Sequence, residues 1–399
     1  MCRYGLLGWI MIATVASREV LFIARFIMGM AADINFVSIP MYVAEISDKH
    51  IRGRLETFAF IMMVLGILLI YCIGPYVSIT VSSIVGACIV IVELLTFPMM
   101  PESPYYYLLK DQKEYARKSL QIFRTEKRVE LELNEMEESV KEENSNQSNI
   151  LDLFRVNSNL KGVIIVSVLM MAQHFGGVSV LFMNMHMILN DAESILTSKQ
   201  SAVLFIVAML LSCVLAGFLI DLSGRKLLLC VSSFLTGTSL LILAIYFSVK
   251  DSGFNVLYYN WVPLFAVILY GFTYKCGLGL VSVILIAELF PSNIKPYGVT
   301  YSDFVFVVAS VLSVIIFFVL QSNYGMEAPF YLFSLCCMLT CVFSFFYIPE
   351  TKSKTLEEIQ ILLKGKTSTV TTTGVKNGSN TEVSGILSNN EFEYGTNTS

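Results

Sequence analysis

Long apolar runs, separated by short polar segments, account for most of this chain. Nine of the runs reach the length of about 20 residues that an α-helix needs to cross a bilayer, so each predicts a membrane span. These runs lie at 19–43, 57–76, 77–98, 160–189, 201–221, 227–248, 261–287, 299–320 and 327–348. A shorter apolar run at 4–17 follows Arg3 and resembles a signal peptide in its length. We interpret it instead as a tenth span that is shortened at its start.

Two segments about 245 residues apart repeat one pattern of charged residues. Glu45 is followed seven residues later by Arg52, and Glu288 is followed at the same spacing by Lys295. A Pro-Glu dipeptide comes later in each copy, at 101–102 and at 349–350. A parallel repeat in an apolar chain is typical of secondary transporters, in which two helical bundles hold a solute between them.

The second copy also contains Asp221, followed by Gly224 and Arg225. The matching segment of the first copy would lie about 245 residues earlier, before Met1. We therefore expect that roughly 85 residues of the first copy, or two spans, are missing at the N-terminal side. A shortened span at 4–17 agrees with this arithmetic better than a signal peptide does.

Composition supports a membrane protein, and the basic residues orient it. Hydrophobic residues make up 55% of the chain and charged residues 15%, with a mean hydropathy of +0.68, outside the range of soluble globular proteins. Of the 27 Lys and Arg, 22 fall on one side of the predicted membrane and three in the opposite loops. The positive-inside rule therefore places both termini and the 101–159 loop in the cytoplasm. We expect an integral protein of the plasma membrane, with the lipid bilayer as a partner and no nucleic acid.

No sequence feature predicts an enzyme, a cofactor or a metal site. The nine Cys lie mostly in apolar spans without paired spacing, which is typical of small core residues rather than disulfides or metal ligands. No nucleophile–base pair, phosphate-binding loop or metal-binding cluster is found in a loop or a plausible cavity.

The predicted fold is an all-α multi-pass membrane protein with four parts. Residues 1–100 form an incomplete N-terminal bundle of four spans, and residues 160–350 form a C-terminal bundle of six. Between them, residues 101–159 carry charged residues and Leu at helical spacing, which predicts a cytoplasmic linker of short helices. Residues 351–399 are predicted to form a disordered cytoplasmic tail, because the Thr, Ser, Gly and Asn beyond Lys366 are typical of disorder.

Six ordered motifs lie between residues 25 and 355. They are Arg25-Phe26-Ile27-x-Gly29, Pro40-Met41-Tyr42-Val43-Ala44-Glu45-Ile46-Ser47, Arg52-Gly53, Pro101-Glu102-Ser103-Pro104, Asp221-x-x-Gly224-Arg225-Lys226 and Pro349-Glu350-Thr351-Lys352-x-Lys354-Thr355. Together they resemble the sugar porter family of the major facilitator superfamily, in its branch of facilitated trehalose and glucose carriers. The resemblance implies a two-bundle fold and facilitative transport of trehalose, a hexose or a related polyol by alternating access. The alternative is a protein that keeps the carrier fold without transporting, either a nutrient sensor or an inactive truncated product.

Charged motif residues cluster at the predicted cytoplasmic ends of the spans, and we call them the latch residues. They are Glu45, Arg52, Glu102, Asp221, Arg225, Glu288, Lys295 and Glu350. In the family such residues hold the outward-facing state by pairing across the two halves, and the resemblance implies the same role here. Each pair is modest in energy, but a network that forms in one conformation only biases a two-state equilibrium. The alternative is that these residues only anchor helix ends and fix the topology.

The sugar-binding run of the family's seventh span corresponds to residues 173–179, Gln-His-Phe-Gly-Gly-Val-Ser. One Gln of the family pattern remains, while a His and a Ser replace the second Gln and the Asn. Gln173, His174 and Ser179 are therefore the candidate substrate-binding residues. The alternative for His174 is an ordinary hydrogen-bonded residue of the helical core.

Three other positions depart from the family pattern. Phe60 stands where the family has a Gln, Met209 stands where it has an Asn, and residues 277–283 lack the family's prolines and aromatic residue. Each sugar hydroxyl that is left unpaired costs about 1–3 kcal/mol. High affinity for a hexose is therefore not expected.

Two charges lie deep inside predicted spans at nearly equivalent positions of the repeat. Asp33 precedes Glu45 by 12 residues, and Lys275 precedes Glu288 by 13. At about 1.5 Å per residue both lie about 18–20 Å from the cytoplasmic ends of their helices, where charges are costly and usually paired or functional. Asp33 and Lys275 either face each other across the cavity as an ion pair or face water separately. Arg25 matches a family arginine in a span that packs within the N-terminal half.

Overall fold

The computed structural model describes residues 2–14, 17–47, 52–145, 150–192, 194–291, 294–352, 354 and 356–364. Within these ranges every regular element is a helix, and nine stretches are long and apolar enough to cross a membrane. Each of the nine coincides with one of the long apolar runs in the sequence. The prediction of an all-α multi-pass membrane protein is confirmed.

The helices fall into a first half, a linker and a second half. The first half contains α1 (Cys2–Thr14), α2 (Arg18–Ile46), α3 (Arg52–Ile73) and α4 (Ile79–Thr96). The linker contains α5 (Pro104–Leu109), α6 (Lys113–Phe123), α7 (Glu126–Ser145) and α8 (Asp152–Arg155). The second half contains α9 (Asn157–Phe175), α10 (Val178–Asp191), α11 (Ser198–Ser223), α12 (Arg225–Asp251), α13 (Val262–Cys276), α14 (Val281–Leu289), α15 (Lys295–Tyr324) and α16 (Glu327–Tyr347), and α17 (Leu356–Lys364) follows it. Short 3₁₀ helices lie at Gly74–Tyr76, Phe97–Met99 and Leu257–Tyr259.

The two ends of the helix bundle are named by their position relative to the linker. The linker end is the end at which α2 ends and α5–α8 lie, and the far end is the opposite one, where α3 meets α4 and α10 meets α11. Several of the largest apolar side chains on the outer surface are exposed, among them Phe22, Phe218 and Phe346. Such exposure would be unusual in a soluble domain, whereas it is the arrangement expected of side chains that face lipid.

Helix α1 is only 13 residues long, yet it packs against both α2 and α4. Gly8 and Gly86 make this packing possible because neither has a side chain. A Cβ atom at Gly86 would lie 2.6 Å from the indole ring of Trp9, and Gly8 lies against Met28 of α2. Helix α1 is therefore packed into the first half.

Two spans of the second half are interrupted inside the bundle. The first breaks between α9 and α10, where Gly177 adopts a positive φ of 86° that favours glycine. The second breaks between α13 and α14, at residues 277–280. Other spans satisfy the backbone groups that the breaks release: the Tyr270 hydroxyl donates to the Gly176 carbonyl O at 2.8 Å, and Leu278 N donates to Ser232 Oγ at 2.8 Å. Irregular backbone is tolerated at membrane depth only when it is satisfied in this way.

The main apolar core lies in the second half and is rich in aromatic side chains. Phe205, Phe317, Phe330 and Phe333 are completely buried in it. Helices α12 and α16 approach closely because Gly237 faces α16, and its carbonyl O accepts a hydrogen bond of 2.7 Å from Ser334 Oγ. Small residues and hydroxyl groups at helix contacts are typical of packing within membranes, where apolar burial alone provides little attraction between helices.

The linker helices enclose a small core of their own, separate from that of the bundle. Leu120 of α6 and Leu133 of α7 are at its centre. Arg124 fastens it to the first half, because its guanidinium makes a bidentate pair with Glu132 at 2.7 and 2.8 Å and also donates to the Ile46 carbonyl O at 3.1 Å. The linker is therefore tied to the end of α2.

The expectation of a disordered tail from residue 351 onward is wrong for residues 356–364. These residues form the amphipathic helix α17, whose Ile359 and Leu363 are buried against the bundle. Lys161 Nζ at the start of α9 donates to the carbonyl O of Leu363 at 2.7 Å. Short amphipathic helices of this kind form because they cover an apolar surface, which a compositional argument about the tail does not detect. Residues 365–399 lie outside the described residues.

Candidate functional site

A cavity of about 440 Å³ lies between the two halves. Helices α2 and α3 line it from the first half, and α9, α10, α11, α13, α14 and α15 line it from the second. It reaches Met41, Ala287 and Lys295 near the linker end, and toward the far end it extends to Phe182. Its volume is within the range of about 300–1,000 Å³ that is typical of small-molecule sites.

The three candidate substrate-binding residues meet at this cavity, beside the break between α9 and α10. Gln173 and His174 are 3% and 4% exposed, and the Nε2 atom of each is buried without a hydrogen-bond partner in the described part of the chain. Ser179 Oγ makes hydrogen bonds to His174 Nδ1 at 2.7 Å and to Ser310 Oγ at 3.0 Å. Buried polar atoms without partners are costly unless a ligand or water completes them.

Most of the remaining lining is apolar. The rings of Phe36 and Phe306 stack 6.4 Å apart across the two halves, and Phe306 also packs edge-on against His174 with ring centroids 4.1 Å apart. Phe60 and Met209, which depart from the family pattern, both line the cavity. The cavity therefore offers a solute few polar partners and a large apolar contact surface.

Lys275 also lines the cavity and is only 6% exposed. Its Nζ lies 5.4 Å from the centroid of the Phe60 ring, so the second half contacts the first at this point. Asp33 is exposed on α2, and among the described residues the two charges do not form an ion pair. Of the two alternatives for Asp33 and Lys275, the structure favours separate surroundings. Arg25 lies on an exposed face of α2.

Asp303 of α15 is a cavity residue that sequence reasoning missed. Its half-buried side chain lines the cavity and lies within electrostatic reach of Asp33. The signal was present in the sequence, because Asp303 is an acid inside an otherwise apolar run at 299–320. An ionisable residue within a membrane span is a functional candidate by default.

Polar contacts between the halves close the far end of the bundle. The Tyr71 hydroxyl of α3 donates to the Phe182 carbonyl O of α10 at 2.7 Å, and the Tyr71 ring stacks on His186 with centroids 6.3 Å apart. Lys199 Nζ of α11 donates to the Pro75 carbonyl O at 2.8 Å. The cavity is therefore separated from the far end while it extends toward the linker end.

In the second half, three of the latch residues come together at the linker end. Arg225 pairs with Glu288 at 3.1 Å, and Thr351 Oγ1 donates to the other Glu288 oxygen at 2.5 Å. Glu350 accepts the backbone N–H groups of Arg225 at 2.9 Å and Lys226 at 3.1 Å, and so caps the start of α12. Burial opposes ionisation of Glu350, but these and two further backbone N–H donors outweigh it and lower the pKa of the carboxyl.

A glycine shapes this capping site. Gly224 has a positive φ of 83°, and a Cβ atom there would lie 2.6 Å from a Glu350 carboxylate oxygen. The motif Asp221-x-x-Gly224-Arg225 thus brings the α12 N-terminus onto the acidic residue that follows α16. The side chain of Asp221 lies outside the described residues.

In the first half, the latch residues lie where α2 meets the linker. Tyr42 donates to the Pro101 carbonyl O at 2.6 Å, which holds the Pro-Glu dipeptide against α2. Burial raises the pKa of Glu45; the nearby Glu102 adds to this, while a hydrogen bond from Ser103 opposes it. The side chain of Arg52 lies outside the described residues.

The latch hypothesis expects pairs between the two halves. The ion pair recorded between described latch residues, Arg225 with Glu288, lies instead within the second half. Lys295 lines the linker end of the cavity, and Glu102 is exposed. The cross-half role of the latch residues therefore stays a prediction.

Two helical halves that face each other across a central cavity, which two interrupted spans of the second half line, define a carrier of the major facilitator fold. The chain belongs to the family described as Sugar (and other) transporter, whose model matches residues 6–363. This family is one of transporters rather than enzymes.

Individual relatives agree with this family. The facilitated trehalose transporter Tret1 of Aedes aegypti is 28% identical over 369 residues, and the match covers 90% of this chain and 45% of that protein. The protein of the same name from Culex quinquefasciatus is 27% identical, with 90% of this chain and 70% of that protein covered. The chain thus spans less than half the length of the Aedes relative. Among solved structures, the proton:xylose symporter XylE bound to 6-bromo-6-deoxy-D-glucose has a TM-score of 0.75 at 20% identity, over 91% of this chain and 82% of that one, which shows the shared fold.

Proposed function

We propose that the chain acts as a facilitative carrier of a sugar or a related polyol, such as trehalose or a hexose, and works by alternating access. One observation carries the proposal: buried polar atoms of Gln173 and His174 without partners face a cavity that lies between two halves of a carrier fold. Sugar hydroxyls are donors and acceptors that could complete these groups. The names of the Aedes and Culex relatives support a sugar as the solute.

The geometry also supports an alternating-access mechanism. The far end is closed by Tyr71 on Phe182, whereas the cavity extends toward Lys295 at the linker end. The bias of Lys and Arg toward the linker side supports a cytoplasmic linker end with both termini cytoplasmic. We place the carrier in the plasma membrane as part of the same proposal. In that orientation the conformation is inward-facing. The reverse motion would break the Tyr71 contact and close the linker end around the latch residues.

Uptake by the purified chain in lipid vesicles tests the proposal. We expect saturable uptake of labelled glucose or trehalose that is lost in Gln173→Ala, because the unpartnered amide would no longer bind the solute. Gln121→Ala is the matched control, since Gln121 is exposed on α6, away from the cavity. Saturable binding without any uptake would contradict transport and favour a sensor that keeps the carrier fold. Equal uptake by wild type and Gln173→Ala would contradict the assigned binding site.

A further inference from the structure

The most unusual group in the cavity is the ammonium of Lys275. It is buried, its Nζ lies over the Phe60 ring at 5.4 Å, and among the described residues it has neither a hydrogen bond nor an ion pair. An aromatic ring stabilises a cation only in part. A buried ammonium in this position therefore lacks an anionic partner.

Two other buried groups that line the same cavity have a nitrogen atom without a hydrogen-bond partner. Gln173 Nε2 is a donor without a partner, and His174 Nε2 becomes a donor when its Nδ1 accepts the Ser179 hydroxyl. Three of the buried groups that line one cavity can thus donate at once, while most of the remaining wall is apolar. A carboxylate is the complement of such a set of donors, because it only accepts hydrogen bonds. It also carries the negative charge that would pair with the positive charge of Lys275.

We propose that the solute is a sugar acid of hexose size, whose carboxylate binds Lys275. The proposal rests on the proposed function, because it concerns the same cavity, and it makes Lys275 the residue that selects an acidic sugar over a neutral one. The charge-assisted contact supplies a polar partner in a cavity where the side chains of Phe60 and Met209 offer none.

Among the described lining residues the acidic side chain is Asp303 of α15, which interacts electrostatically with the exposed Asp33 of α2. The described lining therefore has an acidic site on α15 and a buried basic site on α13, while Lys295 lies at its linker end. A carboxylate would be repelled from the acidic site, so a sugar acid would bind in one orientation. The same polarity makes a cationic sugar at Asp303 the competing possibility.

Three sugars of one ring size and different charge distinguish an acidic solute at Lys275 from a cationic one at Asp303 and from a neutral one: glucuronate, glucosamine and glucose. Each is titrated by calorimetry into the purified full chain in lipid nanodiscs, at constant ionic strength and pH 7. We expect glucuronate to bind roughly tenfold or more tightly than glucose, which is the factor expected of a charge-assisted contact. Lys275→Met should remove this preference, Lys275→Arg should retain most of it, and Lys141→Met, which removes an exposed linker charge, should leave it unchanged.

Several results would overturn the assignment. These are equal binding of glucose and glucuronate, tighter binding of glucosamine, no binding of any of the three, or a preference for glucuronate that survives Lys275→Met. The unfolding temperature of each variant, measured without ligand, shows whether a lost preference reflects an unfolded protein. If Lys275→Met proves unfolded, the test is Lys275→Arg, which keeps the charge: loss of the preference in a folded Lys275→Arg protein would overturn the assignment. Uptake in vesicles is scored separately: uptake of neutral sugars alone would refute the sugar-acid inference and leave the proposed transport intact. Tight binding of glucuronate without uptake of any sugar would support the sugar-acid inference and refute the proposed transport.

Discussion

Replacing Tyr71 with Phe should loosen the far end of the cavity. The change removes one hydroxyl, which donates to the Phe182 carbonyl O at 2.7 Å, and keeps the ring that stacks on His186. Tyr71 is half-buried, so its hydrogen bond should contribute about 0.5–1 kcal/mol. Because the bond joins the two halves only while the far end is closed, its loss should shift the equilibrium toward far-end opening by roughly 2- to 5-fold.

Thiol labelling measures this shift. A cysteine at Ile67, which lines the cavity on α3, is placed in a chain whose exposed Cys72 and Cys88 are replaced by Ser. An impermeant maleimide added outside intact cells, the side of the far end in the proposed orientation, should react roughly 2- to 5-fold faster in Tyr71→Phe. Tyr258→Phe is the matched control, because Tyr258 is 86% exposed at the same end. An unchanged rate in Tyr71→Phe would refute the idea that this hydrogen bond holds the far end closed.

Two further predictions concern stability. Gly177→Ala should lower the free energy of unfolding by about 1–2 kcal/mol, because a residue with a Cβ is strained at a φ of 86°. The control Gly66→Ala, where a Cβ would meet open space, should be neutral or stabilising, and thermal unfolding of both variants tests this. Glu350 has a lowered pKa in the folded state, so its stabilising effect is present above the ordinary Glu value of 4.5 and is lost as the pH falls below it. Glu350→Gln should therefore lose less stability than wild type between pH 7 and pH 4, and the exposed-residue control Glu138→Gln should behave as wild type. A Glu350→Gln protein with the pH dependence of wild type would exclude a stabilising role for the ionised Glu350 carboxylate.

The spans could be predicted from the sequence because bilayer thickness sets their length. The run at 227–248, for example, lies within α12 and differs from it by two or three residues at each end. The breaks at Gly176 and Gly277 could not be placed by the same means, since hydropathy does not register a helix that ends within an apolar run. Their stability depends on partners distant in sequence, such as Tyr270 for Gly176.

Some of the residues that line the cavity could be predicted from the sequence, but Asp303 and the pairing of the charges could not. The family motif identified Gln173, His174 and Ser179, and the structure brings them to one cavity. The internal repeat placed Asp33 and Lys275 at similar depth, but a repeat does not fix which way each side chain points around its helix axis. The two side chains point in different directions: Asp33 is exposed, whereas Lys275 faces the cavity. Their similar depth therefore did not predict whether they pair.

The hydrogen bond from Tyr270 to Gly176 has a mechanical consequence. Tyr270 stacks on Tyr274 with ring centroids 5.5 Å apart, and the Tyr274 carbonyl O accepts the Gly279 N–H at 2.8 Å. Two hydrogen bonds and one ring stack thus form a continuous linkage from the first break to the second. Helices are most easily bent where their backbone hydrogen bonds are interrupted, so a change at one break would be transmitted to the other through this linkage. Tyr274 lines the cavity, so a solute pressing on that one ring would act on both hinges together.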